Sequence, residues 1–189
     1  MNKKIDKIVS LSSEKWAEAA LEAIATHGVA DLSIESLARE LGVTKGSFYW
    51  HFANRSALIK AALQLWAQRE TEDVLARVDR EPDPRTRIEK IVEEAIGNKR
   101  KAALYLALAA ASSDPAIGPT FQRVLERRIA YLADCFAVMG VSAPRYRALV
   151  AFSEYVGIMH TLRDAPDSVP KKPEFEQFVQ VAIETVIPR

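Results

Sequence analysis

The chain is predicted to be all α-helical. Apolar residues recur at three- and four-residue spacing through nearly every stretch between its breakers. The breakers are sparse, seven glycines and nine prolines in 189 residues, and they fall between those stretches. No alternating apolar and polar run of useful strand length appears, nor any internal repeat or low-complexity segment.

Composition narrows the classes. A hydrophobic content of 49% with 27% charged residues specifies a globular chain with a core, not a disordered one. The formal net charge is only +1, so contact with nucleic acid must come from local placement of cations. The single Cys135 excludes an internal disulfide and a cysteine metal cluster. It lies in an apolar stretch and reads as an inert small hydrophobe, with redox or electrophile sensing as the alternative. The basic start of the chain has no apolar segment behind it, so no signal peptide is read. The longest near-pure apolar run, residues 102–111, is far short of the ~20 residues that span a bilayer. The expected location is the cytoplasm, with no membrane partner.

The elements follow from caps and breakers. Residues 1–11 form a tail carrying Lys3, Lys4 and Lys7, read as a solvated segment or as a minor-groove arm. Ser12 or Ser13 caps a first helix, Glu14 suits its positive end, and Gly28 stops it. Ser33 caps a second helix, Gly42 makes a turn, and Thr44 caps a short third helix, residues 45–50. Asn54 caps a long fourth helix running to about Val78. Asp83 and Pro84 begin a fifth, which ends at Ile96 before Gly97 and Asn98. Residues 99–112, 119–139, 144–164 and 173–187 complete the set, the third started by Ser142 and Pro144. The layout is therefore a three-helix amino-terminal domain, residues 1–55, and a six-helix carboxy-terminal domain, residues 56–189, whose first helix connects the two.

The second and third helices have the build of a helix-turn-helix, whose second helix can enter a DNA major groove. Leu37, Ala38, Leu41, Val43, Phe48 and Phe52 would wedge the pair at a fixed angle. Thr44 would leave the amides of the short helix facing a phosphate. Gly46 keeps that helix slim, and Lys45 and Ser47 project from its first turn, where base edges are read. Tyr49 and His51 would reach backbone oxygens, and Arg55 would add charge beside the same strand. From Leu41 to Arg69 there is no acidic residue, while Lys45, Arg55, Lys60 and Arg69 are basic. Residues 1–55 as a whole carry seven basic and seven acidic residues, so the cationic surface is expected only at this face, with a modest salt slope per head. The plainer readings are that Tyr49 packs against the first helix, that His51 braces the fourth, and that Trp50 is half-packed.

At these residues the chain resembles the tetracycline-repressor (TetR) family of bacterial transcription regulators. The matching elements are Ser33-Ile34, Leu37-Ala38, Leu41 to Thr44, Lys45-Gly46-Ser47, Phe48 to Phe52, Arg55 and Leu58, within residues 12–60. The family often has Lys where this chain has Arg55, and Trp50 fills a variable position. The resemblance implies an all-helical homodimer that represses transcription until a small molecule enters the carboxy-terminal domain. It implies phosphate contacts from Ser33, Thr44, Tyr49, His51 and Arg55. It places Lys45, Ser47 and Trp50 over bases.

In the carboxy-terminal domain, Tyr105, Phe121, Tyr131, Met139, Phe152, Tyr155 and Met159 are candidates to line an effector cavity, with Phe136 beside them; plain core is the alternative for each. The expected dimer seam is the last two helices. Ser153 and Gly157, four residues apart, allow close approach, with Val156 and His160 beside them. The last helix offers Phe175, Phe178, Ala182 and Val186. The alternative is that these faces pack inside one subunit. A dimer holding two heads about one helical turn apart (~34 Å) would read a near-palindrome in double-stranded DNA. An effector between the middle helices would tilt the fourth helix and spoil that spacing. The rivals are a DNA-binding regulator without a ligand and a helical enzyme. No metal-spaced set, phosphate loop or nucleophilic triad appears, so no enzyme activity, metal or cofactor is expected.

Overall fold

The computed structural model describes residues 11–96, 98–171 and 173–187. Lys3, Lys4, Lys7 and Gly97 lie outside them. Every regular element among the described residues is helical: α1 (Ser13–His27), α2 (Ile34–Glu40), α3 (Lys45–Tyr49), α4 (Arg55–Ala67), α5 (Asp73–Val78), α6 (Pro84–Ile96), α7 (Lys99–Ala110), α8 (Gly118–Val138), α9 (Pro144–Asp164) and α10 (Glu174–Val186). A π-helical segment, Gln68–Glu72, joins α4 to α5, so residues 55–78 run on as one rod. A 3₁₀ turn, Pro166–Ser168, lies between α9 and α10.

Local chemistry sets most boundaries. The Ser12 and Ser33 hydroxyls accept from the amides of Lys15 and Ser36, and the Asn54 amide oxygen accepts from Ala57. The Asp83 carboxylate accepts from the amides of Arg85 and Thr86 and from the Thr86 hydroxyl. Asn98 does more than end α6; its side chain caps α7 by accepting from Lys101. Gly42, at φ +67°, makes the turn that no branched side chain would hold comfortably.

Three starts differ from the sequence reading. Thr44 occupies the cap position of α3 in extended conformation, but its side chain makes no capping bond. α8 begins at Gly118, whose amide donates to the Asp114 carbonyl at 2.8 Å. A Cβ at Gly118 would lie 2.5 Å from the Ser112 carbonyl oxygen, so the close approach of these backbones requires glycine. α9 is preceded not by a Ser142 cap but by Ala143 in the left-handed region, φ 51°, a strained choice for a residue with a side chain.

A single apolar core runs through the molecule. Trp16 and Phe48, both fully buried, meet edge to face at 5.4 Å and pin α3 to α1. α1 also packs along α4 and α7, while α8 packs on α6 and α9. Trp66 of α4 stacks on Phe121 of α8 at 5.9 Å and 9°, which seats the rod against the carboxy-terminal helices. Arg69 forms ion pairs with Glu14 and Glu18, each at 2.7 Å, and Arg100 pairs with Glu22 at 2.5 Å. Arg69 therefore serves the junction of α1 with the rod rather than a cationic contact face.

Candidate DNA interface and effector cavity

α3 is short, and one side of it faces solvent. Thr44, Lys45, Gly46, Tyr49 and Trp50 are exposed, with Trp50 87% and Tyr49 56% accessible. Ser47 and His51 are half-buried. The Tyr49 ring meets Phe48 at 5.2 Å, nearly perpendicular to it, and His51 lies beside Phe52. Gly46 has an ordinary backbone angle, and a Cβ there would meet only the Thr44 hydroxyl at 3.6 Å. The fold therefore does not require glycine at 46.

Lys45 and Arg55 are both engaged within the chain. Lys45 is ion-paired with Glu35 of α2, and this pairing holds the Glu35 carboxyl below its usual range. Glu35 also accepts from Ser33 at 3.2 Å, so the three residues share one cluster. The Arg55 Nε donates to the Leu32 carbonyl at 2.9 Å, and its Nη2 donates to the Val29 carbonyl. In this structure Arg55 is thus a half-buried strut between α4 and the α1–α2 connection, not a charge aimed outward.

The carboxy-terminal helices enclose a cavity of about 1000 Å³, including the space at its mouth. Trp66, the π segment (Glu70, Thr71) and α5 (Val74, Leu75) form one wall, and α6 to α10 supply the others. Of the residues expected to line a cavity, Tyr105, Tyr131, Phe152 and Tyr155 do so. Phe121, Met139 and Met159 do not. Phe121 sits behind the lining between Trp66 and Tyr105, Met159 is fully buried core, and Met139 packs on the core where α8 ends.

Charged residues that the sequence reading did not single out also line the cavity. Arg128 donates to the Thr71 hydroxyl at 2.8 Å and the Glu70 carbonyl at 3.0 Å, and its guanidinium lies 5.1 Å over the Trp66 ring. Burial lowers its pKa. The π segment explains the geometry, because such a turn frees backbone carbonyls from the regular ladder and Glu70 offers one to Arg128. Lys101 bridges Glu70 at 2.8 Å and Glu94 at 2.6 Å. Glu154 lines the cavity, and burial pushes its carboxyl up. Spacing held a signal for Arg128: it falls four residues from both Val124 and Leu132, on the apolar face of α8.

The expected seam divides in two. Ala182 and Val186 are buried and line the cavity, so they pack within one subunit, which corrects their assignment to the seam. Ser153, Gly157 and His160 of α9 are exposed, and Val156 is half-buried. A Cβ at Gly157 would meet nothing within 4 Å. Tyr146 (73% exposed) and Val150 (64%) extend an apolar strip along α9. Phe175 and Phe178 are half-buried against each other at 6.0 Å. His160 faces Asp164 at 3.4 Å and Arg163 at 3.1 Å. Cys135 is buried, and burial raises its thiol pKa.

No helix of the described residues is long and apolar enough to cross a membrane. Among the described residues no group of three or more His, Cys, Asp or Glu side chains is placed to hold a metal ion.

Comparison with known proteins bears on the head and on the fold separately. Residues 17–62 match the model of the bacterial regulatory proteins of the tetR family. The HTH-type transcriptional regulator TtgR of Pseudomonas putida is 41% identical over 66 residues, a match that covers 35% of this chain and 30% of that one. Across the whole length the likeness is structural. A TetR transcriptional regulator from Legionella pneumophila superposes with a TM-score of 0.80 at 19% identity, covering 96% of this chain and all of that one. A transcriptional regulator from Saccharomonospora viridis in complex with choline gives a TM-score of 0.79 at 17% identity, covering 92% of this chain and 94% of that one. The sequence pattern of the tetR-family regulators is thus found in residues 17–62, and the helical fold of solved TetR regulators extends over nearly the whole chain.

Proposed function

We propose that the chain is a ligand-responsive transcription repressor. It binds a near-palindromic operator as a homodimer and is released by a small molecule that enters the cavity. Residues 1–55 act as the DNA-binding part and residues 56–189 as the effector and dimer part. On the DNA, Ser33, Thr44, Tyr49 and His51 contact phosphates, while Lys45, Ser47 and Trp50 lie over base edges. Gly46 allows the approach. Arg55 acts at one remove, by holding the α1–α2 connection to the rod. Ser153, Val156, Gly157, His160, Phe175 and Phe178 belong to the seam.

One observation carries this reading. The rod of residues 55–78 begins at the Arg55 strut beneath the helix-turn-helix and ends in the cavity wall, at Trp66, Glu70, Thr71, Val74 and Leu75. A molecule that repositions that wall repositions the head, and it shifts the equilibrium by its differential affinity for the two arrangements. The choline held by the structural neighbour is consistent with a small organic effector in this fold.

The test is to titrate candidate effectors into the complex of the purified chain with DNA from beside its own gene. Release at concentrations that saturate the cavity supports the switch. Cavity binding that leaves the complex intact favours a regulator without ligand control.

A further inference from the structure

We propose that the cavity takes an organic cation with an aromatic or apolar body, its positive group beside Glu154. This rests on the cavity being the effector site and adds the chemical class of the effector.

The charged wall is unevenly balanced. Three carboxylates line it, Glu70, Glu94 and Glu154, against two cations, Lys101 and Arg128. Glu70 and Glu94 share Lys101, and Glu94 pairs again with Arg77, which stands outside the lining. Arg128 is spent on the Thr71 hydroxyl, the Glu70 carbonyl and the Trp66 face. Glu154 alone of these five has no hydrogen bond or ion pair among the described residues. Burial pushes its carboxyl above the usual range. A half-buried carboxylate in an apolar wall is costly without a counter-charge, and a bound cation supplies one.

The surrounding rings suit the same guest. Tyr105, Phe152 and Tyr155 form a cluster with centroids 6.0 to 6.3 Å apart, and all three line the cavity with Glu154. Aromatic rings and a carboxylate lining one cavity attract a cation that sheds its hydration readily, a quaternary or tertiary ammonium above all. An anion would have to compete with three carboxylates and detach Arg128 from the π segment.

Three probes of similar shape separate the possibilities in calorimetric titrations of the full chain: benzyltrimethylammonium, the neutral neopentylbenzene and the anion phenylmethanesulfonate. The cation is expected to bind about ten-fold tighter than the neutral probe. Glu154→Gln should erase that preference while leaving the neutral probe's affinity and the thermal midpoint in place. Equal affinity for cation and neutral probe, tighter binding of the anion, an unchanged preference in Glu154→Gln, or no binding of the cation at millimolar concentration overturns the proposal. Should Glu154→Gln fail to fold, Tyr155→Leu takes its place and should weaken the cation more than the neutral probe; equal weakening of both overturns the proposal. A cation that binds through Glu154 yet leaves DNA bound would uphold the ligand class and refute the switch. A neutral molecule that releases DNA while the cation neither binds more tightly nor releases it would do the reverse.

Discussion

Arg55 reaches back from the first turn of α4 to the Leu32 carbonyl, 2.9 Å from its Nε, and to Val29 with the same guanidinium. Two backbone acceptors between α1 and α2 are thereby tied to the rod that forms the cavity wall. Arg55→Ala should cost about 2 kcal/mol, because two half-buried carbonyls lose a charged donor. For a chain of this size that lowers the melting midpoint by ~4–8 °C. Calorimetry checks it; an unchanged midpoint would remove Arg55 from its role as a strut.

If Lys45 reads DNA as proposed, its ion pair with Glu35 competes with that contact. Glu35→Gln removes the exposed ion pair and one negative charge beside the recognition helix without touching the core. Operator affinity should rise about three-fold at low salt, and the gain should fade as ionic strength increases. Anisotropy titrations at two salt concentrations read both effects. A loss of affinity would mean that Glu35 positions Lys45 for contact instead of withholding it.

Thr71 is the one buried polar residue among those described, and its hydroxyl receives Arg128. Thr71→Val keeps the shape and leaves a guanidinium N–H without its acceptor. We expect about 1–2 kcal/mol of destabilisation in urea unfolding, and altered response to any effector, since the π segment lines the cavity. Stability equal to wild type would show that water replaces the hydroxyl at no cost.

Gly157 is exposed in a helix interior, where glycine is roughly 1 kcal/mol worse than alanine, and its own subunit leaves the space beside it open. Gly157→Leu should therefore keep the monomer's helical content and weaken dimerisation, as measured by sedimentation at nanomolar concentration. A variant that stays wholly dimeric places the seam elsewhere.

Much of the fold could be read from local chemistry. Ser12, Ser33, Asn54 and Asp83 are caps whose neighbours in sequence supply the donors, and Gly28, Gly42 and Gly140 all have positive φ at helix ends. The apolar spacing of Leu37, Ala38, Phe48 and Phe52 marked the buried side of the helix-turn-helix. What stayed hidden depends on tertiary contact. The π segment exists where Arg128, fifty-eight positions along, takes the Glu70 carbonyl. α10 is apolar on more than one side: Val181 is 55% exposed while Ala182 and Val186 face the cavity, and one helix's pattern cannot tell a partner subunit from its own. Lys45 and Arg55 read as free cations because Glu35 and the Val29 and Leu32 carbonyls lie 10, 26 and 23 residues away.

On the proposed reading α3 enters double-stranded DNA, once per subunit of a dimer. The most direct measurement is anisotropy of a labelled duplex from immediately upstream of the gene, titrated with wild type and with Lys45→Ala at low salt and without effector. Saturable binding at two chains per site is expected, weakened about ten-fold by Lys45→Ala. Wild-type protein that leaves this duplex and neighbouring promoter fragments unbound, or a variant that binds them equally well, would contradict it.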